Sequence, residues 1–353
     1  MTITLPKKLT VSFALVFAAT LGSSNVMSQK LYDGYKVPKN EFGQPDLQGF
    51  WTNVSLTTTT RPKEFGDRLV YTEEEVRVIE KDEADYVALR GEATDPNAGA
   101  EHQSEGDKVK RPRFQSAGGA VGGYNHFWIN SGDRVMRVGG EPRTSLLTTK
   151  DGQIPKTKSG KPAPRYYSRF GFQDRMGQAE TMSLGERCII GFGRNAGPPM
   201  FPNGFYNNNY QIVQSADTVM ILVEMNHDAR MVRLNAEHSK TDARPYFGDS
   251  IGHWDGNTLV VETTNIPQDQ AFYGSWKNLK VIEKFTRVAE NRLHYAFSVI
   301  DPDVWAEPWG GEYEFSTLDG QIFEYACHEG NYALPNMLKG ARLEEEKKAA
   351  AKK

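Results

Sequence analysis

The sequence predicts a mainly β protein: an antiparallel meander that closes into a barrel, preceded by a long irregular N-terminal portion with one helix. Three observations carry this. From Tyr210 onward, four turn signals follow one another between β-rich runs. Several runs alternate apolar and polar residues with the period of a half-buried strand. No helical pattern fits between them, which excludes a parallel α/β sheet. A meander this long leaves two exposed edges unless it curls or closes on itself.

The chain divides into four stretches: a signal peptide over 1–28, a loop-rich portion over 29–205, the meander over 206–335 and a charged tail over 336–353. Lys7 and Lys8 precede a charge-free apolar run from Leu9 to Gly22, and Ser28 is the expected last residue before cleavage. That run is too short to span a bilayer comfortably. No cysteine precedes Cys188, so none lies near the cleavage point to carry a lipid. The expected location is periplasmic or secreted.

Residues 29–70 read as extended, punctuated by Gly and Pro. The helix is expected near 72–91, with Thr72 and Glu75 forming a capping box and Val76, Ile79, Val87 and Ala88 a stripe. Residues 92–123 read as a surface loop with a basic cluster at Lys108, Lys110, Arg111 and Arg113, and aromatics follow at Tyr124, Phe127 and Trp128. A short strand is expected over 145–149, between loops. Strands are then expected over Tyr210–Val213, Thr218–Met225, Met231–Leu234, Ser250–Trp254, Thr258–Thr264, Lys280–Val288, Arg292–Ile300, Glu312–Ser316 and Gln321–Cys327. Leu293, Tyr295, Phe297 and Val299 share one face, and His294, Ala296 and Ser298 the other.

The whole chain carries 42 basic and 45 acidic residues. Removing Lys7 and Lys8 with the signal leaves 40 − 45 = −5, which argues against a nucleic-acid partner. Cys188 and Cys327 are the only cysteines. In an oxidising compartment a disulfide between them is the natural reading, with two buried thiols as the alternative.

Gly49-Phe50-Trp51 ahead of a meander is similar to the Gly-x-Trp opening of lipocalin-like (calycin) barrels, where the Trp closes one end. The resemblance implies a lipocalin-like barrel. The chain departs from it in two ways: about 150 residues separate triplet and meander, and the last strand has no arginine to stack on the Trp. Further runs are the Pro-Asp-Leu-x-Gly-x-Trp segment ending at Trp51, Asn207–Gln214, Glu224–Arg230, Gly248–Ser250 and Cys327–Tyr332. In these the chain resembles an uncharacterised family of exported bacterial proteins, and that resemblance implies export without implying a chemistry.

Three polar constellations stand at strand ends, where a barrel brings distant groups to one rim. They are Asn226-His227-Asp228-Ala229-Arg230; Asp249, His253 and Asp255; and Cys327-His328-Glu329. A His beside a carboxylate suits acid–base work near neutral pH. His328 or His227 is the expected acid–base group, with Glu329 or Asp228 orienting it, His253 a further candidate and Arg230 an anion clamp. Asn226, Asp249, Trp254, Tyr325 and Tyr332 are expected ligand contacts. The bland reading of each is a solvated turn with a structural ion pair.

A metal is a second reading, since His227, His253, His328 and Glu329 offer nitrogen and oxygen ligands. Their spacing lacks a metal motif, so no metal or other cofactor is expected. No Gly-x-Ser-x-Gly, Walker loop, Cys-x-x-Cys or His-Glu-x-x-His occurs, which disfavours the matching chemistries. The expected function is to bind or transform a small, mostly apolar organic molecule without a cofactor, as a lyase, isomerase or hydrolase. The alternatives are a non-catalytic periplasmic carrier, a His/Glu metalloenzyme and a structural envelope protein.

Overall fold

The computed structural model describes residues 32, 34–90, 130, 132–160, 177–191, 193–202 and 207–351. The signal peptide expected over 1–28, the basic cluster at 108–113 and the aromatics at 124–128 lie outside the described residues. Nine strands form a closed barrel. In chain order they are β1 (Gly49–Thr52), β4 (Asn209–Gln214), β5 (Thr218–Val223), β6 (Ala229–Leu234), β7 (Asp249–Asp255), β8 (Thr258–Thr264), β9 (Lys280–Ala289), β10 (Arg292–Ile300) and β11 (Trp309–Thr317). Between β1 and β4 come helix α1 (Glu73–Arg90) and a two-stranded ribbon of β2 (Arg137–Val138) and β3 (Glu141–Pro142). Helix α2 (Ala333–Ala350) ends the described chain.

The mainly β barrel is as the sequence predicts, and so is α1, whose Thr72 and Glu75 exchange capping bonds of 2.8 and 3.2 Å. Four details differ. The strand that closes the barrel is β1, which pairs Trp51 with Tyr210 of β4 and with Thr317 of β11. Because β1 takes the free edge of β11, no edge remains for a strand at Gln321–Cys327, and residues 318–332 contain none. The segment 145–149 makes only an isolated bridge, Leu147 to Gly311. The meander also has one parallel joint, β6 to β7, over Val232–Leu234 and Ser250–Gly252.

Register assigns the two ends of the barrel. Tight hairpins at 215–217, 256–257 and 290–291 gather at one end. The turn at 224–228 and the long connections 265–279 and 301–308 gather at the other, the open end. Trp51 closes the hairpin end. Its indole N–H donates to the Leu47 carbonyl at 3.0 Å, and the Arg287 guanidinium lies 5.5 Å from the ring centre. Arg287 belongs to β9, so the arginine missing from the last strand is supplied two strands earlier. It also donates to the Asp46 carbonyl at 3.2 Å.

The inward face follows the predicted alternation. Leu293, Tyr295, Phe297 and Val299 are all buried in the main core, and full burial of such side chains stabilises by about 1.5–3 kcal/mol each. His294 on the other face is buried as well, because the N-terminal portion packs outside β10 and β11. There Arg143 donates to Glu312 at 2.7 Å and the Gly139 amide to Glu314 at 2.8 Å.

Candidate functional site

Two neighbouring arrangements occupy the open end, a plug within the lumen and a polar turn on the rim. The plug is the segment 193–202, whose Met200 is buried among the inward side chains of the strands. The Met200 amide donates to the Tyr295 hydroxyl at 2.8 Å, and its carbonyl accepts from the Tyr313 hydroxyl at 3.0 Å. Beneath it Arg230 of β6 and Glu283 of β9 form a two-pronged ion pair of 2.6 and 3.0 Å. The Tyr295 hydroxyl donates to Glu283 at 2.8 Å. Asn53 donates to the Tyr210 and Tyr313 hydroxyls at 3.0 and 3.3 Å.

Burial opposes the Arg230 charge, but Glu283 outweighs it and the guanidinium pKa ends raised. Burial, then the Glu283 charge, holds the Tyr295 phenol well above its usual range. Burial and Tyr210 do the same for Tyr313. These phenols stay protonated and serve as hydrogen-bond donors to the plug and to Glu283. Among the described residues Arg194, at the start of the plug, has no carboxylate partner of this kind. It donates to the carbonyls of Gln270 and Pro198 and lies 4.6 Å from the Phe272 ring centre, and burial lowers its pKa to about 10.

The rim turn follows β5, the most apolar strand. Asn226 and His227 take φ of 58° and 46°, a left-handed backbone that side chains with a Cβ adopt at a cost. The turn directs Asp228 inward, where its Oδ2 accepts from the Gly191 amide at 2.7 Å. A Cβ on Gly191 would lie 2.8 Å from Met225 Cγ and 3.1 Å from that oxygen, so the close approach requires glycine. Burial raises the Asp228 pKa to about 6, against the lowering effect of the Gly191 and Asn226 hydrogen bonds.

Cys188, three residues before Gly191, is joined to Cys327, as the sequence predicts. Buried Glu224 holds the same region from the other side, accepting from Asn209 at 2.7 Å and from the Phe323 amide at 2.9 Å. The disulfide and Glu224 thereby bring residues 323–327 to the rim that carries Asn226 and Asp228.

The remaining sequence candidates are distributed unevenly. His227 is exposed beside Asp228, and the described residues show no hydrogen bond between the two. His328 and Glu329 are exposed on the non-strand segment past Cys327 and are not bonded to each other. Arg230 faces Glu283 in the interior, so its guanidinium does not serve as a clamp on the rim.

His253 lies toward the hairpin end of β7, with Asp255. Asp249 is at the opposite end of that strand, about 20 Å from Asp255 by strand rise. It accepts from Arg233 at 2.7 Å, from the Ser239 amide at 2.6 Å and from His238 at 3.1 Å. Trp254 and Tyr325 are half-buried, and Tyr332 is exposed. The metal candidates do not meet as one set, since His253 is at the wrong end. Among the described residues no three His, Cys, Asp or Glu side chains are grouped to hold a metal ion.

Glu283, Tyr295, Tyr313, Met200 and Gly191 are not among the site candidates of the sequence, although Tyr295 is expected on one face of its strand. Glu283 did leave a signal, because it interrupts the inward alternation Val281, Glu283, Phe285 and a carboxylate there requires a partner. No family model matches the chain, and no curated protein matches it in sequence.

Proposed function

We propose that this is an exported protein that takes up a small, mostly apolar organic molecule at the open end of its barrel. Asp228 acts there as the proton-exchanging group, and His227 is the exposed group beside it. The observation that carries this reading is a buried carboxyl with its pKa raised to about 6, set on a turn with two left-handed residues. A carboxyl in that range exchanges protons readily near neutral pH. Left-handed non-glycine residues are also enriched where a chain presents functional groups. The disulfide and the absence, among the described residues, of a helix long and apolar enough to cross a membrane are compatible with export.

The carrier reading places its ligand at the same rim, because the plug, with Met200 buried among the inward side chains, occupies the lumen below it. A turnover screen of small esters, lactones and enolisable ketones with the wild type and Asp228→Asn separates the two readings. An enzyme gives a pH–rate profile with an inflection near 6 that disappears in the variant. Turnover that survives Asp228→Asn unchanged overturns the assignment, and tight binding without product favours the carrier.

A further inference from the structure

The disulfide that ties the rim together differs at its two ends, and nothing in this difference depends on the role of Asp228. Cys188 is buried, whereas Cys327 is only half-buried. Cys327 lies on the non-strand segment past β11, between exposed Ala326 and exposed His328. The backbone amides of Cys327, Asn331 and Tyr332 bond locally, to the carbonyls of Tyr325, His328 and Gly330. The Cys327 side is therefore the one open to an approaching thiol, and the fold closes the Cys188 side.

Asn331 adds a second asymmetry. Its Nδ2 donates to Cys188 Sγ at 3.5 Å and to the Cys327 carbonyl at 3.1 Å. Its Oδ1 accepts from the Ala333 amide at 3.1 Å, at the start of α2, which sets the nitrogen toward the sulfur. Such a donor is a weak partner for a disulfide sulfur and a strong one for a thiolate. Cys188 also has a φ of 53°, a left-handed backbone that a residue with a Cβ adopts at a cost. Opening the bridge removes one restraint on that conformation. Exchange is faster when the expelled sulfur is the better-stabilised thiolate, and exposed or strained bridges are the labile ones.

We infer that Cys188–Cys327 is a site of thiol–disulfide exchange, opened by a dithiol that attacks Cys327 and expels Cys188. In the first step the attacking thiolate bonds to Cys327 Sγ and the bond between the two cysteines breaks. Its electron pair leaves on Cys188 Sγ, which takes a proton from water. In the second step the other thiol of the reductant, as thiolate, attacks the sulfur already joined to Cys327. Cys327 leaves as a thiolate and is protonated in turn. The protein gains two electrons and two protons, and the dithiol gives up the same and becomes a disulfide. The reduced form has lost the covalent link between residues 323–332, with α2 beyond them, and residues 188–191.

Glu324 and Glu329 in this segment make neutral thiols the suitable probes. The oxidised full chain is treated briefly with 2-mercaptoethanol, quenched with excess iodoacetamide and mapped by peptide mass spectrometry. The expected product carries the mixed disulfide on Cys327 and the alkyl group on Cys188. Reduction by dithiothreitol without urea is expected to rise in proportion to its concentration and to outpace global unfolding. Asn331→Asp keeps the acceptor for Ala333 and replaces the N–H donor by a carboxylate, and is expected to slow reduction by about tenfold. Asn331→Ala is expected to slow it by about fivefold. The inference is overturned if the mixed disulfide forms on Cys188, or if the rate levels off at the rate of global unfolding. An Asn331→Asp protein that keeps its far-UV circular dichroism and is reduced as fast as the wild type overturns it equally.

Discussion

Arg230 and Glu283 bind each other through two hydrogen bonds inside the barrel, with side chains 1% and 0% exposed. A pair this deep is costly to break and cheap to replace. Glu283→Gln or Arg230→Met is expected to lower the unfolding free energy in urea by about 3–5 kcal/mol. The double change to Met at both positions is expected to recover most of that loss. Equal destabilisation by the single and double variants would show that the pair is not the source.

Asp228 gives a pH dependence of known sign. Its folded pKa, about 6, lies above the ordinary 3.8. Its contribution to stability is therefore fully present below about pH 4 and is lost as pH rises through 6. At pH 8 the protein holds a buried carboxylate that the fold disfavours. Asp228→Asn is expected to be more stable than the wild type at pH 8, by at most about 3 kcal/mol, with the difference shrinking toward pH 4. Urea denaturation at the two pH values checks this, and a pH-independent difference would contradict it.

The plug is held through the Met200 backbone. Tyr295→Phe removes the acceptor of its amide, and Tyr313→Phe removes the donor to its carbonyl. Each change is expected to cost about 1–2 kcal/mol and to speed amide hydrogen exchange at Met200 more than in the centre of β10. Uniform acceleration across the barrel would mean that the hydroxyls act on global stability and do not anchor the plug.

The disulfide spans 139 residues, and closing a loop of that length is worth up to about 5 kcal/mol through the unfolded chain. Its position adds a local effect. Reduction frees Cys188, three residues from the Gly191 amide that holds Asp228. Adding reductant is expected to lower the urea midpoint and also to move the Asp228 titration, followed by carboxyl-carbon NMR. An unmoved titration would separate the disulfide from the rim turn.

The central hairpins are legible because β7 to β10 alternate cleanly and turn on Gly, Asn and Glu-Asn pairs. The closing strand is not. Nothing local in Gly49–Thr52 says that its partners lie at 209–212 and 316–317. For the same reason the β-rich run Gln321–Cys327 reads as a strand although β1 has already filled the edge it needs. In the site, the polar runs at 226–230 and 327–329 are visible as breaks in composition. The inward aim of Asp228 and the outward aim of His328 are not, because both follow from left-handed residues and from the disulfide. Arg230 was visible as a charge, but its role depends on Glu283, 53 residues away.

Two joints in the barrel are short: β1 to β11, with two paired positions, and β6 to β7, with three. The cylinder is therefore two half-shells, a five-stranded one of β7–β11 and a four-stranded one of β1 and β4–β6. The five-stranded half needs only neighbouring hairpins, whereas the other waits for a strand from more than 150 residues upstream. Local pairing is faster than distant pairing. The β7–β11 half is expected to assemble first, and pulse-labelled hydrogen exchange that protects β4 and β5 before β9 and β10 would refute that order. Since Arg230 belongs to one half and Glu283 to the other, each charge is sealed from water only when the halves dock, which makes their pairing the closing event of folding.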